Sequence, residues 1–306
     1  MKKNLKIDNL SDISKSVIEH HMVRKSREQK VEFSSFLKES LPNLENFEVD
    51  EVDGNRNIVI GDIKNAKYIF TAHYDTPATM FIIPNFLTPK NIFTFILYQI
   101  FITVLMIGIA ALFGLLTFTI GLDFLVGYIG ALLLIMYQML YGIPNKNNYN
   151  DNTSGVITLI ELYLSMSEEQ RRNCVFVFFD NEEKGLKGSG SFNKKYKELM
   201  EEREVINFDC VADGDYIMLI HNKVSDETLA RISEKTDYDN KKIIISTSKK
   251  AIYPSDQKKF KHNVGVAAFH KNKIIGYYVN RLHTIFDVNF DEDNIFVLVE
   301  HFKNLV

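Results

Sequence analysis

Two long segments without a charged residue constrain the fold most. Residues 91–122 form a run of 32 residues and residues 124–145 a run of 22, with only Asp123 between them. A helix rises about 1.5 Å per residue, so about 20 apolar residues cross the ~30 Å hydrocarbon core of a bilayer. We therefore interpret the two runs as transmembrane helices, at about residues 92–120 and 124–143, joined by a tight turn. Buried core helices or a hydrophobic lid are the alternative, but such helices are usually shorter and polar on one face.

The rest of the composition is that of a globular protein. With 306 residues, 46% of them hydrophobic, the chain can bury one large core and carry an appendage. The formal net charge of -3 argues against a nucleic-acid partner, which usually needs a strongly basic domain. Cys174 and Cys210 lie in apolar runs and are interpreted as buried hydrophobes rather than a disulfide. The first thirty residues lack the apolar segment of a secretory signal, so we expect a cytoplasmic amino terminus.

Outside the apolar runs, strand-like and helical patterns alternate, which predicts an α/β fold with a mixed, mostly parallel sheet sandwiched by helices. The predicted helices cover residues 11–41, 153–166, 188–200, 225–236 and 291–306. The predicted strands cover residues 47–52, 57–62, 67–75, 173–180, 204–212, 215–222, 241–247 and 264–270. We expect a helical amino-terminal segment (1–45) that packs on a catalytic domain built from residues 46–85 and 146–306, with the hairpin (86–145) inserted between them.

Five clusters of polar residues stand at the ends of strands or the starts of helices. They cover residues 71–75, 150–155, 180–183, 207–209 and 282–284. Together they supply two imidazoles and several carboxylates, a mixture of nitrogen and oxygen ligands that suits Zn²⁺ in an open catalytic site. Taken alone, His73 would more often be a core histidine whose hydrogen bonds are made within the protein. The Glu182-Glu183 pair, taken alone, would more often lie in a solvated loop. The conjunction of the clusters favours a metal site.

The residues of these clusters, and the order of the clusters along the chain, resemble those of a known family. The motifs AHYDTP, NDNTSG, NEEKGLKGS, NFD and LHT occur in this order, as in the co-catalytic zinc aminopeptidases of peptidase clan MH, family 28, which includes bacterial leucyl aminopeptidases and glutamate carboxypeptidase. The resemblance spans residues 47–306 apart from the insertion. It implies two Zn²⁺ ions per chain and a peptide substrate cleaved at its amino-terminal bond.

The resemblance also implies a ligand set. His73, Asp151 and Asp209 would hold one zinc ion. Asp151, Glu183 and His283 would hold the second, so that Asp151 bridges the pair. Two cations held in this way activate a shared water and polarise the substrate carbonyl.

Two further roles follow from the resemblance. Glu182 would be the general base that takes the proton of the water and delivers it to the leaving amine. Asp75 would orient the imidazole of His73 and raise its basicity as a ligand. The family also has a cis peptide after the bridging aspartate, which would fall between Asp151 and Asn152.

Two features concern the substrate and the surface. The segment SDQKKF resembles a family loop near the substrate pocket, but Gln257 replaces the usual histidine, which leaves substrate preference open. Residues 241–281 contain ten lysines and arginines and one acid, Asp256. This basic region fits a solvated face, attraction to anionic headgroups or binding of an acidic substrate.

Flanking charges predict the orientation. Lys90 and Lys146 flank the hairpin on the side of the catalytic domain, whereas the turn carries only Asp123. The positive-inside rule then places the catalytic domain on the cytoplasmic face of the cell membrane, with the lipid bilayer as a partner through two spans. The alternatives are another zinc-dependent amide hydrolase or cyclase of the same fold (carboxypeptidase, dipeptidase or glutaminyl cyclase type) and a non-catalytic receptor-like relative, which the intact ligand set disfavours. The oligomeric state stays open.

Overall fold

A ten-stranded mixed sheet forms the centre of the computed structural model, which describes residues 4–80, 85–234 and 241–306. The helices in these ranges are α1 (Asp12–His20), α2 (Arg27–Ser40), α3 (Ile92–Thr119), α4 (Phe124–Tyr141), α5 (Ser154–Ser165), α6 (Glu168–Arg172), α7 (Lys187–Lys195), α8 (Lys197–Met200), α9 (Asp226–Ile232) and α10 (Glu292–Lys303). The strands are β1 (Asn4–Lys6), β2 (Phe47–Val52), β3 (Asn55–Ile60), β4 (Tyr68–His73), β5 (Asn85–Leu87), β6 (Cys174–Phe179), β7 (Glu204–Phe208), β8 (Tyr216–Asn222), β9 (Lys242–Thr247), β10 (Asn263–Asn272), β11 (Gly276–Leu282) and β12 (Asn289–Asp291). The predicted end of the helix at 225–236 and residues 81–84 of the predicted catalytic domain lie outside the described residues.

The strand order of the large sheet is β2-β3-β6-β4-β7-β10-β11-β5, with β8 paired to β10 and β9 to β8. The four central strands β6, β4, β7 and β10 are parallel to one another, whereas their outer neighbours β3 and β11 are antiparallel to them. Every residue of β4, β6 and β7 is buried, as expected for parallel strands covered on both faces. The predicted fold class, a mixed and mostly parallel sheet between helices, is confirmed.

Helices cover both faces of the sheet. On one face α1, α2, α5 and α10 pack against alternate strand residues such as Phe70 and Phe208. On the other face α7 and α8 pack against the intervening residues, for example Ile69 and Val177. This alternation follows from the two-residue period of a strand. Ten of the twelve residues of α5 are buried, so this helix lies at the centre of the molecule.

The amino-terminal helix is broken. The sequence predicts one helix over residues 11–41, which is wrong, because the chain leaves the helix between α1 and α2. Arg24 lies in this break, is fully buried, and donates from its Nε to the carbonyl of Tyr74, 2.6 Å away. Ser26 then starts α2 with a capping box to Gln29. The break brings a cation to the end of β4.

The helices α3 and α4 form an antiparallel pair with outward-facing apolar surfaces. The most apolar 18-residue stretches of α3 and α4 have mean hydropathies of 2.6 and 1.8. Only 11% of this stretch in α3 and 6% of it in α4 is buried. Both are long and apolar enough to cross a membrane, at nearly the predicted bounds. A pair of core helices would be mostly covered by the rest of the chain, and these two are not.

Four strands were not predicted: β1, β5, β11 and β12. Three of them have only three residues. The fourth, β11, mixes polar and apolar residues, and only Val279 and Leu282 are buried in it. It gives no clear alternating pattern, although it leads directly to His283.

Candidate metal centre

Three neighbouring parallel strands end at the same edge of the sheet and deliver polar side chains there. His73 is the last residue of β4, and Asp209 directly follows β7. Glu182 and Glu183 lie in a single 3₁₀ turn just after β6. Because β6, β4 and β7 are adjacent and parallel, their carboxyl ends meet, as ligand-binding ends do in α/β sheets.

Two further residues come from other parts of the chain. Asp151 lies in the turn that leads into α5 and has a non-helical backbone. Its peptide bond to Asn152 is cis, which confirms the expectation from the family resemblance. His283 follows β11 and has a left-handed backbone conformation with φ of 61°. The structure thus brings together all five residues that the sequence proposed as ligands.

Asp151 stands between the two imidazoles. Its Oδ1 is 3.3 Å from Nε2 of His73, and its Oδ2 is 3.0 Å from Nε2 of His283. Asp209 Oδ1 is 3.8 Å from the same nitrogen of His73, and Glu183 Oε2 is 3.3 Å from that of His283. The potential ligand atoms therefore form two triads that share Asp151, one with His73 and Asp209 and the other with Glu183 and His283.

Zinc fits these residues. Glu183 Oε1 and Asp209 Oδ1 are buried and have no hydrogen-bond partner among the described residues. A buried carboxylate oxygen without a partner is costly, and a cation would satisfy both. Imidazole and carboxylate without thiolate is the donor set of catalytic rather than structural zinc sites.

The electrostatics of the centre favour cations. Burial lowers the pKa of His73, but the adjacent carboxylates of Asp151, Asp209 and Asp75 outweigh this effect and raise that pKa well above its usual range. His283 behaves in the same way beside Glu183 and Asp151. Since each imidazole lies against carboxylates that stabilise a positive charge, the centre would also stabilise metal ions.

Asp75 links both halves of the centre. Its Oδ1 is 3.5 Å from Nδ1 of His73, on the side of the ring opposite Asp151. The same carboxylate accepts hydrogen bonds from the backbone N–H of Glu182 at 3.0 Å and of Glu183 at 3.3 Å. The contact with the Glu182-Glu183 turn was not expected from the sequence.

Glu182 lies beside the potential ligands. One triad of possible ligand atoms includes it with His73 and Glu183. Burial raises the pKa of Glu182 well above its usual range, and the nearby carboxylates of Glu183, Asp256 and Asp209 add to this, whereas His73 opposes it. A carboxyl group with a raised pKa is suited to proton transfer near neutral pH.

Sequence reasoning missed three residues that position the centre. The two oxygens of Asp287 accept hydrogen bonds from the backbone N–H of Asn150 and Asp151, both at 3.0 Å. The amide of Asn152 donates to the carbonyl of Phe208 at 3.0 Å and thereby ties the cis peptide to β7. Arg24, described above, is the third. The signal for Asp287 was its spacing, four residues after His283 in LHTIFD.

The two doubtful sequence features are resolved in part. Gln257 is buried, and its side chain accepts a hydrogen bond from Asn207 and donates one to the carbonyl of Tyr253. These buried hydrogen bonds stabilise the SDQKKF segment. The basic region does not form one free surface. Lys241 is paired with Asp291 at 2.6 Å, and Lys261 is paired with Glu201 at 2.7 Å.

The chain is similar to known peptidases in sequence and to known enzymes in fold. The model of peptidase family M28 matches residues 142–294, half of the chain, beginning directly after α4. The LapA aminopeptidase of Legionella pneumophila superposes with a TM-score of 0.54 at 15% identity, over 97% of this chain and 70% of that one. A glutaminyl cyclase of Fimbriiglobus ruber superposes with a TM-score of 0.55 at 13% identity, over 100% of this chain and 98% of that one. At such identities the two structures share the fold with this chain. No curated protein matches the chain in sequence.

Proposed function

We propose that this chain, which belongs to peptidase family M28, is a membrane-anchored zinc aminopeptidase that acts on peptides and holds two Zn²⁺ ions. The observation that carries the proposal is the sharing of Asp151 between two triads of ligand atoms. His73 and Asp209 complete one triad, and Glu183 and His283 complete the other. An aspartate that offers one oxygen to each side is the arrangement a pair of metal ions requires.

The residues around the ligands have separate tasks in this proposal. Bound zinc would supply Lewis acidity and lower the pKa of water. Glu182 would take the proton of the attacking water and return it to the leaving amine, for which its raised pKa is suited. Asp75 would hold the ring of His73 and the turn of Glu182 and Glu183 in one arrangement.

We propose that α3 and α4 anchor the enzyme in the cell membrane with the catalytic domain in the cytoplasm. Their length, hydropathy and exposure support two spans. Lys90 and Lys146 flank the pair on the side of the catalytic domain, and the turn carries Asp123. The match to the family begins at residue 142, just after α4, and β2, β3 and β4 share one sheet with β6, β7 and β10. Both observations support a catalytic domain formed by residues 46–85 and 146–306 with the hairpin inserted at 86–145. The helical segment 1–45 packs on this domain through α1 and α2.

The test is metal content and hydrolysis of aminoacyl-p-nitroanilides by the full-length protein in detergent. We expect about two zinc ions per chain, as in two-metal sites, and activity across a panel of amino-terminal residues. Glu182→Gln should retain the zinc and lose about 10²- to 10⁴-fold in rate, the usual contribution of a general base. Glu198→Gln, on the exposed surface of α8, is the matched control and should behave as wild type.

The outcomes separate the alternatives. Two zinc ions without hydrolysis of any anilide would move the assignment to another amide substrate, and an amino-terminal glutaminyl peptide tests the cyclase type directly. A protein that binds no zinc would refute the metallopeptidase proposal and favour a receptor-like relative.

A further inference from the structure

Exposed large hydrophobic side chains are concentrated on the hairpin and beside the metal centre. Outside residues 92–143, the described residues of this kind are Val31, Ile274, Ile285 and Phe286. Ile285 and Phe286 are 56% and 47% exposed and come directly after the LHT motif. Two adjacent exposed apolar side chains at the rim of a polar centre are suited to an apolar neighbour.

The exit of α4 is tied to the same rim. Beyond the end of α4, the side chain of Asn145 donates to the carbonyl of Thr284 at 2.9 Å, and that of Asn147 donates to the carbonyl of Ile285 at 2.8 Å. Ile143 lies on this exit segment and is 58% exposed. The Ile285-Phe286 loop is therefore attached to the segment where one proposed span leaves the bilayer.

The start of α3 is tied to the strand that leads into this loop. The ring of Phe86, on β5, packs 4.9 Å from Tyr98 of α3 and 6.1 Å from Tyr278 of β11. Asn85 pairs with Leu282, the residue before His283. Thus both ends of the hairpin brace the segment that carries His283.

The unequal lengths of the two helices set the level of the lipid. α3 has 28 residues and α4 has 18, so α3 extends about 15 Å beyond the exit of α4, at about 1.5 Å per residue. This extension carries no charge and exposes Ile92, Phe93 and Leu97, which are 46%, 69% and 50% exposed. Lipid is the cover that suits such a surface, so the bilayer boundary reaches the face of the catalytic domain.

Cations lie at the exit of α4. Lys25 donates to the carbonyl of Leu140 at 3.4 Å, and Lys184 Nζ lies 5.5 Å from the ring centroid of Tyr141. Lysine beside an aromatic side chain at the end of a span is typical of the headgroup region. Lys184 directly follows Glu183, so this headgroup level also adjoins the metal centre.

We propose that the Ile285-Phe286 loop is immersed in the headgroup and acyl boundary of the bilayer that holds the hairpin, so that the metal centre opens at the lipid surface. The inference rests on the membrane anchoring proposed above. It names the substrate class: peptides whose apolar amino-terminal segment lies in the membrane interface, where they reach the centre without passing through water.

The chain has no tryptophan, so one substitution creates a single fluorophore. We would reconstitute two full-length variants, Phe286→Trp and Ile285→Trp, each in liposomes of phosphatidylcholine and phosphatidylglycerol. Lipids brominated close to the headgroup should quench most of the emission, and lipids brominated in mid-chain should quench less. Val31→Trp on α2, 40% exposed, is the control and should not be quenched.

Leu133→Trp, on α4 and 61% exposed, tests the anchoring separately. If it is quenched while the tryptophans at 285 and 286 behave like that at 31, the immersion of the loop is refuted and the anchoring stands. If Leu133→Trp itself is not quenched, both the anchoring and the inference fail. Circular dichroism and zinc content of each variant establish that the fold is intact.

Discussion

Replacing Asp75 by asparagine tests how the metal centre is held. The carboxylate accepts two backbone hydrogen bonds, from Glu182 at 3.0 Å and from Glu183 at 3.3 Å, and lies 3.5 Å from Nδ1 of His73. Asparagine has one carbonyl oxygen, so one of the two hydrogen bonds is lost, and no charge faces the imidazole. A hydrogen bond to a charged group contributes about 1.5–3 kcal/mol, and about 1.4 kcal/mol corresponds to a tenfold change in affinity.

We therefore expect Asp75→Asn to bind zinc about 10- to 100-fold more weakly, a range also typical of residues that orient metal ligands. The assay is competition for zinc with a chromophoric chelator, and hydrolysis is measured at saturating zinc. Asp50→Asn is the matched control, because Asp50 is equally buried but lies on β2, away from the centre, where it pairs with Lys195 of α7. Wild-type zinc affinity in Asp75→Asn would refute the argument.

Three other predictions concern stability. Arg24→Met leaves the buried carbonyl of Tyr74 without its hydrogen-bond donor and should lower the free energy of unfolding by about 1–3 kcal/mol. Denaturant titration in detergent measures this loss. Arg24→Lys should not recover the lost stability, because lysine lacks the planar guanidinium group. Burial lowers the pKa of His301 below 6.5, so the unfolded chain binds the proton more tightly and stability is lost as the pH falls below 6.5. A pH series of unfolding should show this loss in wild type and not in His301→Gln, and equal slopes would contradict it. A Cβ at Gly127 would collide with the side chain of Thr117, whereas a Cβ at Gly130 meets nothing within 4 Å. Gly127→Leu should therefore separate α3 from α4 and lower the thermal stability of the protein in detergent. Gly130→Leu should leave that stability unchanged.

The sequence alone supported the identification of the ligand candidates through the motifs that resemble the zinc aminopeptidases. His73, Asp151, Glu183 and Asp209 also stand beside strongly patterned elements, whereas His283 follows a weakly patterned strand and was found by its LHT motif. Apolar runs such as the one before His73 end abruptly in polar residues, and the charge-free runs of α3 and α4 needed only a count of residues. These signals are local and do not depend on which elements become neighbours. The fold class, the ligand candidates and two candidate spans could therefore be predicted.

The tertiary structure decided what depends on distant segments meeting. The two carboxylate oxygens of Asp287 serve the backbone N–H groups of Asn150 and Asp151, more than 130 residues away in sequence. Likewise, the break between α1 and α2 is explained by the hydrogen bond from Arg24 to the carbonyl of Tyr74, at the end of β4. Strand β11 is stabilised by pairing with β5 and β10 rather than by an alternating pattern of its residues. Propensity and periodicity report on a chain's own neighbourhood, whereas these contacts exist only once the sheet has assembled.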